Sequence, residues 1–205
     1  MKELLIIGAS GHGKVVADIA VKIGSYSTIA FFDDNEEIKS IMGFSCRGKI
    51  TSICEESRDN DVIVAIGRAS VRERIMNQVK EMGFNLPVLV HPQAVIAEDV
   101  EIGAGTVIMA GAIINTGVQI GRGVIINTAS SVDHDCIVDD YAHISVGAHL
   151  AGTVHVGERT WIGAGATVNN NIDICSDVMI GAGAVVVKNV TEAGTYVGVP
   201  IKKIK

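Results

Sequence analysis

From Ile96 onward a large aliphatic recurs every six residues: Ile96, Ile102, Ile108, Ile114, Ile120, Ile126, Val132, Val138, Ile144, Leu150, Val156, Ile162, Val168, Ile174, Ile180 and Val186. Four residues after each stands a second series, running from Val100, Thr106 and Ala112 through Cys136 and Ala142 to Ala184 and Val190, nearly all small or β-branched. The residue following each large aliphatic is mostly Gly, Asn, Asp, Ala or Ser, types that tolerate a tight corner. A period of six fits neither a helix near 3.6 nor a lone strand near 2, so it is read as internal repetition. Hexapeptide repeats predict a parallel β-helix, three short strands and three corners to a coil of about eighteen residues, with both series pointing inward and coils stacked at ~4.8 Å. The uninterrupted run makes about five coils, and residues eighteen apart lie one above the other.

Before Ile96 the pattern changes. Glu3 to Ile7 read as a buried strand entering the glycine turn Gly8-Ala9-Ser10-Gly11-His12-Gly13, and Lys14 to Ile23 carry a helical pattern. A strand, glycine turn and helix in that order present free backbone N–H groups and a positive helix end to a phosphate, although the spacing is not GxGxxG. Thr28 to Phe32 make a second strand ending at Asp33-Asp34, where an acidic side chain meets a ribose or base in related folds. Asp61 to Ile66 form a third strand ending at Gly67, followed by a helix announced by a capping box, Ser70 with Glu73, and stopped near Met82 by Gly83. Leu86 to Val90 read as a fourth strand, and His91-Pro92 hands over to the repeats. The expected organisation is a Rossmann-like α/β domain over residues 1–90 and a β-helix over 91–205. The turn either binds nothing, or takes a dinucleotide or the nucleotide part of a nucleotide sugar. A domain this short favours the smaller ligand.

Composition adds exclusions. With a net charge of −6 the chain has no basic footprint for nucleic acid. The apolar run at the amino terminus is too short for a signal peptide or membrane span, so a cytoplasmic protein without membrane attachment is expected. The four cysteines, Cys46, Cys54, Cys136 and Cys175, show no CxxC spacing and read as reduced structural thiols.

A prism wall needs no histidine, so those in the repeats carry the candidate chemistry. His134 falls at an outward corner between Asp133 and Asp135, and a neutral imidazole beside a carboxylate is the usual general-base arrangement. Gly152 is expected directly above it, and Asn170 above that. His143, His149 and His155 share the position before the large aliphatic on three successive faces, so one chain cannot gather them. Packed as a trimer, such prisms would bring His134 of one chain towards His143 of the next.

The segments IIGASGHG, the Asp33-Asp34 pair, Ala65-Ile66-Gly67, NTASSVDHDC, HISVGAHLAG and the closing YVGVPIKKIK together resemble the bacterial hexapeptide-repeat sugar acetyltransferases, which comprise nucleotide-sugar N-acetyltransferases and sialic acid O-acetyltransferase-type relatives. The resemblance runs the full length and implies a left-handed β-helix and a homotrimer with acetyl-CoA bound along the helix and a nucleotide sugar on the first domain. It implies His134 as catalytic base, Asp135 as the acid that orients it, where the family often has Glu, and His143 near the thioester. Asn127 would contact the acetyl group, and the Gly152 N–H would serve the thioester carbonyl as an oxyanion donor. Gly163 and Ala164 would let the pantetheine lie close, and Lys188 and the segment with Pro200 would lie near the nucleotide end of CoA. Gly11, His12, Gly13, Asp33, Asp34 and Gly67 would hold the nucleotide sugar. The acceptor is expected to be the amine of a UDP-linked 4-amino-dideoxy sugar in surface-glycan synthesis, with no metal. Alternatives are O-acetylation of sialic acid or another sugar, a histidine-zinc lyase of the same repeat fold, and a non-catalytic trimeric scaffold.

Overall fold

The structure, a computed structural model, describes residues 2–205, so Met1, the first residue of the expected domain 1–90, lies outside the described residues. Two compact units are present, one ending at Pro92 and one spanning Gln93–Lys205.

The first unit is built on three parallel strands, β1 (Leu4–Ile7), β2 (Ile29–Phe32) and β5 (Asp61–Val64), with β1 in the middle and Leu4 in register with both Ile29 and Asp61. All their residues are buried, the continuous apolar run expected of parallel strands covered on both faces. Helices α1 (Gly11–Ile23) and α2 (Ala69–Glu81) pack on β1 and β5. Two strands extend the far edge, β3 (Ser40–Ile41) and β4 (Phe44–Gly48), giving the order β3-β4-β2-β1-β5.

Three expectations for this unit are corrected and one unexpected element is added. Helix α1 starts at Gly11, so the second half of the glycine turn is its first turn. The Ser70 capping box does not form, because the Arg68 carbonyl already accepts from the Val71 and Arg72 amides and places Ser70 inside α2. The hairpin β3–β4 was not expected at all. The fourth strand shrinks to Leu89–Val90, which lies against α1 and outside the five-stranded sheet. Only a bridge at Asn85 reaches β5, and Pro87 has no N–H to carry a ladder further.

The strand-to-helix turn is drawn very tight. A Cβ built on Gly13 would stand 2.1 Å from the Gly8 carbonyl oxygen. Gly13→Ala is therefore expected to destabilise this unit by ~2–3 kcal/mol, read as a lowered urea midpoint. An unchanged midpoint would mean the turn can open.

The second unit is a left-handed parallel β-helix. Each face stacks two-residue strands eighteen apart, as in Ile125–Ile126 under His143–Ile144 under Trp161–Ile162. From Ile108 on, every member of the large series is buried, and so is every member of the compact series from Thr106 on. The polar members of that second series are satisfied inside the coil: Thr106 and Thr160 each donate to a carbonyl, Gly121 and Cys175 respectively, and each accepts a backbone N–H from the coil above. The left-handed corner residue is the third after the large aliphatic, not the one immediately after it. From residue 105 to 183 this position has positive φ in every hexad, and it is glycine in only half of them.

Candidate active site

His134 sits on the corner between the face holding Ser131–Val132 and the face holding Ile137–Val138. Its Nδ1 lies 2.8 Å from Asp135 Oδ2, which fixes Nδ1 as the protonated nitrogen and leaves Nε2 as the free base. Asp135 can reach back to its neighbour because it occupies the left-handed corner, at φ 57°. Asp133 Oδ1 accepts the His134 backbone N–H at 2.8 Å and the Asn115 side-chain amide at 2.7 Å. The hydrogen bond to Asp135 outweighs the opposing desolvation and, with the charges of Asp133 and Asp135, holds the His134 pKa above the ordinary imidazole value. Both side chains of the pair are more than half exposed, so the imidazole can be reached from outside the coil.

The ring stands against Gly152, one coil on: a Cβ there would lie 2.4 Å from His134 Nε2. The Gly152 amide has no acceptor among the described residues, whereas its carbonyl accepts from Asn171. The His134 Nε2 and the Gly152 backbone are thus side by side at this corner. Cys136 is excluded as a nucleophile. It is fully buried, its thiol donates to the Ala151 carbonyl at 3.2 Å, and burial raises its pKa.

His143 belongs to a different place. It lies on the face that stacks Ile125, His143 and Trp161, opposite the corner of His134. Asn127 Oδ1 accepts the Thr128 N–H at 2.8 Å, which turns Asn127 Nδ2 to His143 Nε2 at 3.1 Å. That contact engages His143 Nε2. Trp161 stacks on it, ring centroids 4.9 Å apart. The remaining histidines have partners of their own: His149 shares a hydrogen bond of 2.8 Å with Ser131, and His155 lies between Asp139 at 2.8 Å and Asp173 at 3.7 Å.

Among the residues expected along CoA, Ala164, Lys188 and Pro200 are exposed. Gly163 is buried and has a packing reason of its own, because a Cβ there would meet the Ile180 carbonyl oxygen at 2.5 Å. In the first unit Gly11 faces open space, while Gly13 is held by the contact with Gly8. Burial, then the charge of Arg72, lowers the His12 pKa to about 4, so the ring is neutral at pH 7. Asp33 braces the turn, its carboxylate accepting the amides of Ala9 at 2.7 Å and Asn35 at 2.9 Å, and Asp34 accepts that of Ile50 at 3.1 Å. The Gly67 carbonyl is taken by the buried Arg72 guanidinium, 2.8 Å away. Beside Asp33 opens a cavity of about 270 Å³ lined also by Asn35, Lys39, Arg47 and Lys49.

Sequence reading missed Asn115, Trp161 and Arg72. Stepping eighteen residues back from Asp133 and forward from His143 finds the first two. Arg72 gives no signal, since a helical arginine reads as a solvated face.

Residues 3–79 match the model of the PglD N-terminal domain, and residues 153–188 that of the bacterial transferase hexapeptide (six repeats). The acetyltransferase domain of PglB from Neisseria gonorrhoeae, solved with acetyl coenzyme A, is 41% identical, covers 99% of both chains and superposes with a TM-score of 0.97. PerB from Caulobacter crescentus, solved with CoA and GDP-perosamine, is 33% identical over 100% of this chain and 98% of that one, with a TM-score of 0.95. The UDP-N-acetylbacillosamine N-acetyltransferase of Bacillus subtilis is 34% identical over 115 residues, 54% of this chain and 52% of that enzyme. The chain therefore aligns with about half the length of that curated relative.

Proposed function

The chain belongs to the hexapeptide-repeat sugar N-acetyltransferases that carry a PglD N-terminal domain, and from that premise we propose that it moves the acetyl group of acetyl-CoA to the amine of a nucleotide-linked 4-amino-dideoxy sugar. The observation that carries this reading is the His134 corner, where an exposed imidazole is fixed by Asp135 with its free nitrogen beside the open Gly152 amide. As the amine attacks the thioester carbon, His134 Nε2 takes the amine proton, and Asp135 balances the imidazolium. The Gly152 N–H holds the oxygen that becomes negative in the tetrahedral intermediate. A C–N bond forms, the C–S bond breaks, and the thiolate leaves to be protonated. No acyl-enzyme is required.

In this reading the acetyl side is completed by a second copy of the chain. His134 and the Asn127–His143–Trp161 cluster sit on a corner and on the face opposite it, so they meet only when one prism packs its corner against another's face. A closed ring of three satisfies this, with Ala164, Lys188 and the Pro200 segment on the path of CoA and the cytoplasm as its compartment. The nucleotide lies on the first unit around Gly11, His12, Asp33, Asp34 and Gly67, with the cavity beside Asp33 for its polar part. UDP is the proposed nucleotide, supported by the name of the Bacillus subtilis relative, whereas PerB was solved with GDP-perosamine.

The test is CoA-thiol release with UDP-, TDP- and GDP-linked 4-amino-4,6-dideoxy sugars and with sialic acid. Release is expected with the UDP-linked amine. Release with sialic acid alone would make the enzyme an O-acetyltransferase, and release with a GDP-linked amine alone would overturn the nucleotide.

A further inference from the structure

The corner at His134 is built from successive coils, and the contacts across it join residues seventeen or eighteen apart. Asn115 lies below Asp133, its amide 2.7 Å from Asp133 Oδ1. Gly117 lies below Asp135, and a Cβ on it would stand 2.5 Å from Asp135 Oδ1, so the carboxylate occupies room that only glycine leaves. Gly152 lies above His134 and leaves room for the ring in the same way. One coil further down, Asp99 holds Thr116 and the Gly117 amide at 2.8 and 2.9 Å, fixing the floor on which Asp135 rests.

We infer that Asn115 and Asp133 are positioning residues for His134, a second carboxylate arm that acts on the backbone and the field of the base while Asp135 acts on its ring. The inference rests on His134 being the base. Asp133 Oδ1 takes two donors at once, the Asn115 amide from below and the His134 backbone N–H beside it. This double contact pins the His134 backbone at the turn and keeps a negative charge next to the imidazole. The charged groups at this corner are Asp133 and Asp135 from its own turn and Asp99 two coils below. The coil above contributes Gly152 and Thr153, whose N–H goes to the His134 carbonyl, and its His149 is turned to Ser131. Asn115 holds the Asp133 carboxylate below its ordinary pKa, so the arm stays charged wherever the enzyme works.

The experiment uses the full chain with two variants, Asp133→Asn and Asn115→Ala. It measures kcat and kcat/KM against pH and titrates the His134 ring by NMR in the folded protein. Asp133→Asn keeps an acceptor for the His134 amide but removes the charge, so the ring pKa and the acid limb of the pH profile are expected to move down together. Asn115→Ala is expected to lower kcat about tenfold, the scale on which orienting partners act, while KM for acetyl-CoA stays the same. An acid limb and ring titration unmoved in Asp133→Asn overturn the inference, as does an unchanged kcat in Asn115→Ala. A ring titration that moves while the kinetic limb does not, with His134→Ala still active, overturns instead the assignment of His134 as base.

Discussion

Replacing His134 with alanine is expected to lower turnover by about 10²- to 10⁴-fold, the range attributed to a positioned general base, while acetyl-CoA still binds with near-normal affinity. The side chain is more than half exposed and supports no part of the coil, so the loss arises in the proton-transfer step and not in folding. The pH profile of the unmodified enzyme supplies the sign. The base acts in its neutral form, and kcat/KM should fall with decreasing pH as the imidazole is protonated. Because the Asp135 hydrogen bond and the two flanking carboxylates favour the protonated form, that fall should begin above the pH at which a free imidazole would titrate. In His134→Ala the residual rate should lose this limb altogether. Calorimetric titration with CoA separates binding from chemistry, and a variant that kept both its rate and its limb would remove His134 from the mechanism.

How much of this was readable in the sequence depended on whether the determining contact repeats. The β-helix was legible because burial in a stacked prism imposes the same demand on every sixth residue, and each inward position obeys it from Ile108 onward. The corners were less legible. Their left-handed residue is glycine only half the time, with Asp135, Tyr141 and Arg159 among the others, so the glycines alone point to the wrong place in the hexad. The His134–Asp135 pair could be read because its members are adjacent. Asn115 is marked only by its place eighteen residues before Asp133, since nothing within a single repeat distinguishes a solvated asparagine from one placed under that carboxylate. In the first unit the apolar runs of β1, β2 and β5 were plain, whereas β4, between β3 and β2, alternates half-buried and exposed residues and carries no such run. Asp33 illustrates a further limit. Its position after β2 suggested a ligand contact, and its carboxylate also accepts the amides of Ala9 and Asn35, a bracing role that spacing alone does not reveal.

Two glycines at different corners of the β-helix should respond to alanine in opposite ways, and the contrast tests what each is for. At Gly152 the atom in the way is His134 Nε2, at 2.4 Å, the tip of a side chain that can swing aside. Gly152→Ala is therefore expected to fold with an unchanged urea midpoint and to lose about 10²-fold in kcat, since a displacement near 1 Å of a reacting group is worth that much. At Gly163 the obstructing atoms are backbone: the Ile180 carbonyl oxygen at 2.5 Å and the Gly181 carbonyl carbon at 2.6 Å, both fixed by the ladder of the next coil. Gly163→Ala must part the coils and is expected to destabilise the β-helix by about 1–3 kcal/mol, with turnover per folded molecule reduced far less. Pairing each variant's denaturation curve with its kcat distinguishes the two. If Gly152→Ala were instead the unstable one and kept its turnover, the His134 ring would have to lie away from Gly152 in the working enzyme, and the placement of base beside oxyanion donor would fall with it.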